Sequence, residues 1–111
     1  MVLKSLSEED RAKARAKALV SRTRRAEVKN SFGRGELTIA ELLELARSDE
    51  AVGRLRVTDL LESVPGIGSV RAAALMERIG ISANRRLRGL GRKQQAALRS
   101  HFDDTPPHVK K

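Results

Sequence analysis

Cysteine, tryptophan and tyrosine are absent from this chain, and phenylalanine occurs only at Phe32 and Phe102. Without cysteine there are no disulfides and no thiolate metal site. The two histidines, His101 and His108, lie close to the C-terminus and leave a zinc site without ligands. No run is apolar enough for a signal peptide or a membrane span, so a soluble, cytoplasmic protein is expected. With so few aromatics, the core must be built from Leu, Ile, Val, Ala and Met. A chain of 111 residues holds one domain, at most with an appended arm.

Cations are abundant. Lys and Arg number 23 against 14 Asp and Glu, a formal charge of +9. Residues 1–30 carry nine cations and four anions (+5), and residues 31–64 carry four and seven (−3). Residues 65–100 carry eight and one (+7), and 101–111 are neutral. Two basic blocks flanking an acidic one suggest two basic surfaces and a polyanionic partner.

The hydrophobic pattern is helical throughout, and no segment alternates with period two, so the expected fold is all-α without a sheet. Ser7 can cap a first helix running to about Phe32, where Gly33 and Gly35 would stop it. Its first half, Arg11 to Ala18, has almost no apolar face and is expected to project or fray. Thr38 and Glu41 form a capping box for a helix over Ile39–Ser48, with Ile39, Leu42, Leu43 and Ala46 facing the core. A short turn or helix follows near Glu50–Leu55, and then a helix capped by Thr58 that ends near Ser63. Another spans Ser69–Ile79, burying Ala72, Leu75, Met76 and Ile79, with Gly80 as its stop. The stretch from Ser82 to Gly91 reads as a basic loop. A last helix covers Arg92–Phe102, with Ala97, Leu98 and Phe102 inward. The chain therefore divides into an arm (1–32), a helical head (33–103) and a disordered tail (104–111).

The segment from Leu60 to Ala72 fits a helix–hairpin–helix pattern. Its turn candidates are Val64, Pro65, Gly66, Ile67, Gly68, Ser69, Val70 and Arg71. Glycines let the backbone turn tightly and approach another molecule with no Cβ in the way. The amides at the start of the next helix lack intrahelical acceptors and, with the helix dipole, form an anion site. Ile67 can tuck between the helices while Arg71 adds a charge. The competing reading is a plain interhelical connection.

A second candidate surface is the basic loop: Ser82, Asn84, Arg85, Arg86, Arg88, Gly89, Gly91, Arg92, Lys93 and Gln94. No acid occurs between Arg78 and Asp103, and unpaired like charges at this density call for an anion. Secondary candidates are Arg54 and Arg56, with a stripe of Arg11, Arg15, Arg22, Arg25 and Lys29 along the first helix. Either segment could instead be merely solvated. Contacts of this kind hold a phosphate backbone and carry no base code.

The runs GRLRVTDLLESVPGIGSVRA (53–72), MERIGIS (76–82) and RRLRGLG (85–91), with AEVKN at 26–30, resemble the actinobacterial integration host factor family. The resemblance covers nearly the whole chain outside the tail. It implies a long N-terminal helix and a compact head with a helix–two-turns–helix module. It also implies a nucleoid-associated, non-enzymatic protein that binds double-stranded DNA with little sequence preference, bends or compacts it, affects its topology and assists integration. By that likeness Val64–Arg71 is the DNA-binding turn and Ser82–Gln94 a lid over the DNA. Ser69 departs from the family, where Lys is frequent, so one phosphate-directed charge is missing. No cofactor, membrane or small-molecule substrate is expected, and the free protein is expected to be monomeric.

The chief alternative is RNA binding, since the module also resembles a small-subunit ribosomal protein. A base-excision glycosylase fits poorly. The chain is short for a base pocket, residue 2 is Val2 rather than a nucleophilic proline, and apart from Glu77 no acid follows the hairpin before Asp103.

Overall fold

A computed structural model of the protein describes residues 7–103. The tail expected to be disordered, 104–111, lies outside the described residues. Helix α1 spans Glu8–Gly33, and the Ser7 hydroxyl accepts the Asp10 amide at 3.0 Å to cap it. Its acidic first turn suits the positive helix end. Every residue from Ser7 to Val20 is exposed, and only Val28 and Phe32 of α1 are buried. Phe32 meets Phe102 edge to face at 5.4 Å.

The expected stop at Gly33 falls one residue later. Gly33 is itself the last helical residue, lying against the Ser63 carbonyl where a Cβ has no room. Gly35, with φ +80°, makes the bend that follows.

Helix α2 (Ile39–Ser48) begins with the expected capping box of Thr38 and Glu41. The Asp103 carboxylate, 63 to 64 residues further on, accepts the amides of Ile39 and Ala40 at 2.8 and 2.9 Å. Helix α3 (Glu50–Gly53) is a single turn capped by Asp49. Helix α4 spans Val57–Glu62, and its N-cap is Arg56, not Thr58. The helix starts earlier than expected because Val57 is fully buried and its amide is already taken by the Arg85 carbonyl at 3.0 Å. Helix α5 covers Ser69–Ile79 and ends at Gly80 in the left-handed conformation, φ 88°. A 3₁₀ turn (Leu87–Gly89) leads into α6 (Arg92–Phe102).

The described residues contain no strand, in keeping with the all-α expectation, and show one isolated antiparallel bridge between Arg56 and Arg86. Ile39, Leu42, Val52, Val57, Leu60, Leu61 and Leu98 are completely enclosed. Each such side chain contributes about 1.5–3 kcal/mol by leaving water. Ile79, Ala97 and Phe102 are only partly covered, whereas Ile81, Leu87 and Leu90 are buried. The segment that reads as a basic loop is thus pinned to the core at three apolar points, which fixes where its arginines stand.

Candidate nucleic-acid interface

The chain between α4 and α5 turns tightly through local bonds: Ser63 N–H to the Leu60 carbonyl at 3.1 Å, Val64 N–H to Leu61 at 3.2 Å, and Ile67 N–H to Val64 at 3.0 Å. Gly66 has φ +91°, a conformation that only glycine adopts without strain. Val64 and Ile67 are half-buried and pack on the core, while Pro65, Gly66, Gly68, Ser69, Val70 and Arg71 are exposed. The first backbone bond closing α5 runs from Ala72 N–H to the Gly68 carbonyl at 2.9 Å, and no side chain caps the helix. The amides of Ser69, Val70 and Arg71 therefore have no helical acceptor. A Cβ built on Gly68 would meet nothing within 4 Å, so the N-cap position beside those amides is open. Arg71 Nη1 donates to the Gly66 carbonyl at 3.3 Å, laying the guanidinium across the turn. Amides, dipole and cation converge on one exposed point with no acid in the helix's first turn.

Helix α6 also begins on a glycine, with no acid in its first turn and with Arg92 and Lys93 at its first two positions. Gln94 is occupied: its Oε1 accepts the Gly91 amide at 2.8 Å and its Nε2 donates to the Gly80 carbonyl at 2.8 Å. Gln94 ties the two ends of the loop together. Arg85 is similarly engaged, with Nη1 donating to the Gly89 carbonyl at 2.6 Å and its stem lying on Gly89. Ser82, Asn84, Arg86, Arg88, Gly89, Gly91, Arg92 and Lys93 are exposed.

Arg56 and Arg86 face each other across the bridge. Val57 N–H donates to the Arg85 carbonyl at 3.0 Å and Leu87 N–H to the Leu55 carbonyl at 2.9 Å. These bonds flank the pair rather than join it, the arrangement in which opposed side chains stand closest. Like charges so placed repel. Both line an open hollow of about 310 Å³ with Arg25, Arg54, Leu55 and Asp59. Four arginines and one acid thus line the hollow, and Arg54 is already paired with Glu50 at 2.8 Å. The hollow unites candidates from α1, the end of α3, the start of α4 and the loop.

The stripe on α1 is less uniform than its spacing suggests. Arg11 pairs with Glu8 at 3.7 Å, Arg15 and Arg22 are exposed, and Arg25 and Lys29 are half-covered. Arg22 and Arg25 line a groove with Lys17, Ser21 and Arg54. Lys17 was not among the expected site residues, although Ala14, Ala18 and Ser21 mark that small-residue face in the sequence. Arg78 and His101 were also unexpected. They flank a hollow behind the turn together with Ile67, Arg71, Ala74 and Leu75. Burial pushes the His101 imidazole below its ordinary pKa, and Arg78 beside it adds to the effect. The Asp49 carboxyl is held below the usual range, chiefly by its hydrogen bond from Arg24. Among the described residues no cluster of three or more metal-ligating side chains occurs, and no helix is long and apolar enough to cross a membrane.

Residues 32–102 match the model of the S13-like H2TH domain. The chain is 44% identical over 105 residues to the integration host factor of Streptomyces coelicolor, covering 95% of this chain and 98% of that protein. It is 42% identical over 102 residues to the integration host factor of Mycobacterium tuberculosis, covering 92% and 97%. The solved structure of sIHF bound to an 8-bp palindromic DNA superposes with a TM-score of 0.75 at 44% identity, covering 78% of this chain and 98% of that one.

Proposed function

From the premise that this chain belongs to the actinobacterial integration host factor family, with its S13-like H2TH domain, we propose that it binds double-stranded DNA through the phosphate backbone with little sequence preference. The observation that carries this reading is the bare start of α5: three free amides behind an open Gly68, with Arg71 laid across the turn. A phosphate oxygen there accepts several N–H bonds and neutralises the dipole. The likeness to a relative solved on DNA supports the choice of partner.

The residues Val64–Arg71 supply one grip. The loop and the hollow it borders supply another, through Arg86, Arg88, Arg92 and Lys93 with Arg54, Arg56 and Arg25. Arg85 and Gln94 hold the loop's shape. The projecting half of α1 is an arm whose Arg11, Arg15 and Arg22 reach further along the duplex. Several separated grips on one rigid head hold DNA at an angle that straight B-form does not satisfy, so binding bends and compacts it. A single chain carries all of these grips and works as a monomer in the nucleoid, altering DNA topology and assisting site-specific integration. Its role is binding, not catalysis.

The test is a salt series of affinities for duplex DNA and for a structured RNA. Log affinity for the duplex should fall linearly with log salt, by about 0.9 per phosphate contacted. A flat dependence, or a preference for RNA at equal salt, overturns the proposal.

A further inference from the structure

Helix α1 is anchored to the head at one end. Val28 and Phe32 are buried, Gly33 lies against Ser63, and the helix from Ser7 to Val20 is exposed throughout. Those fourteen residues span about 21 Å at 1.5 Å per residue. Against the head the helix meets charge of both signs: Lys17 lines a groove with Asp49 and Glu50, Arg22 and Arg25 line another with Arg54, and Arg25 shares the hollow with Arg54, Arg56 and Arg86. A polar contact ties the helix to the head. Arg24, a turn outward from Val28, donates from Nε to Asp49 Oδ2 at 2.9 Å. The other ion pairs among the described residues join partners two to four positions apart and cannot fix one element against another. Arg24–Asp49 spans 25 positions.

We propose that the Arg24–Asp49 pair is a latch that sets the angle of the arm on the head, making both side chains positioning residues for DNA bending rather than DNA contacts. The inference rests on the reading of α1 as a DNA-contacting arm. Asp49 suits the task because its other oxygen is used within its own element. Oδ1 accepts the Ala51 amide at 3.0 Å and the Val52 amide at 3.4 Å, fixing the carboxylate on α3. Beyond α3 lie Arg54 and Leu55, and the Leu55 carbonyl accepts the Leu87 amide of the loop. The latch therefore refers the arm to the same rigid segment that carries the loop arginines. With it closed, arm and loop meet DNA in a fixed relation. With it open, α1 pivots about Val28 and Phe32.

The test uses Asp49→Asn, which removes the charge but keeps a side-chain oxygen for the α3 cap, and Arg24→Lys, which keeps the charge. The cysteine-free chain accepts two engineered cysteines, at Ala12 and Glu77, for spin-label distance measurement. Asp49→Asn should broaden the distance distribution, reduce the bend of an end-labelled duplex and weaken binding to a long duplex about two- to five-fold. Arg24→Lys should retain most of the wild-type value of each. An unchanged distribution and bend in Asp49→Asn overturn the latch. The double variant Arg11→Ala/Arg15→Ala separates this outcome from failure of the arm reading. If it lowers bending while Asp49→Asn does not, only the latch falls. If it leaves bending intact, the arm reading falls and the latch with it.

Discussion

Helices α1 to α4 and helices α5 and α6 begin in opposite ways. Each of the first four carries an acid in its first turn: Glu8, Glu9 and Asp10 in α1, Glu41 in α2, Glu50 in α3 and Asp59 in α4. Three of them also have a capping oxygen, from Ser7, Thr38 and Asp49. Helices α5 and α6 begin on glycine, with no acid in the first turn. The first set neutralise their own dipoles. The second set leave the amides of their first turn without an acid, next to arginines, in the part of the chain that is most basic, although at α6 the Gln94 amide oxygen accepts the Gly91 N–H. Helix ends of the first kind stabilise the fold, while ends of the second kind forgo that stability and, on the proposed function, leave room for a phosphate.

The largest effect is expected when α5 is given what the earlier helices have. Gly68 is extended, with φ −92° and ψ −172°, as an N-cap residue should be, and open space surrounds it. Gly68→Asp should therefore cap the helix and leave stability unchanged or a few tenths of a kcal/mol higher. The same carboxylate occupies the phosphate position and should weaken duplex binding on the order of 100-fold, read by fluorescence anisotropy at fixed salt. Wild-type affinity in a well-folded Gly68→Asp protein would remove α5 from the interface.

The next effect concerns the facing pair at the bridge. Arg56 and Arg86 are held opposite each other by backbone bonds that do not depend on their side chains. Replacing both by Ala should relieve repulsion worth about 0.5 kcal/mol and raise Tm by about 2–4 °C. Duplex affinity should meanwhile drop about tenfold, and the salt slope should shrink by roughly two phosphate contacts. Gains and losses of opposite sign would mark the pair as poised for a ligand. A lower Tm would mean that Asp59 and Glu50 already balance the hollow without DNA.

Much of this contrast was legible in the sequence, because caps and turn glycines are local signals. Ser7, Thr38 with Glu41, Gly66 and Gly80 act where their spacing places them. The convergence of Arg25, Arg54, Arg56 and Arg86 was not legible. It depends on a bridge between segments 30 positions apart, and nothing in either segment alternates like a strand. Composition also hid the role of the loop. Its cations dominate the reading, yet Ile81, Leu87 and Leu90 are what dock it. Arg85, a candidate contact for its charge, gives one of its donors to the loop's own Gly89 carbonyl, and Gln94, a candidate through the family resemblance, bonds the Gly91 amide and the Gly80 carbonyl. Thr58 is a sound cap by type. It was displaced because the preceding amide already had a partner in the loop.

The smallest effect on binding is expected at α2. At the start of α2 the Thr38 hydroxyl accepts the Glu41 amide at 3.0 Å, and the Glu41 carboxylate accepts the Thr38 amide at 2.9 Å. Asp103 covers the next two amides, so this end is closed to any outside anion. Thr38→Ala exposes the Glu41 amide but leaves three carboxylate bonds in place. It should cost about 1 kcal/mol, a Tm lower by about 4–8 °C in thermal unfolding. Duplex affinity and salt slope should stay at wild-type values, because the acids still repel phosphate from that end. If Thr38→Ala instead changed the salt slope, the capped helix ends would also belong to the interface, and the division between α1–α4 and α5–α6 would no longer separate stability from binding.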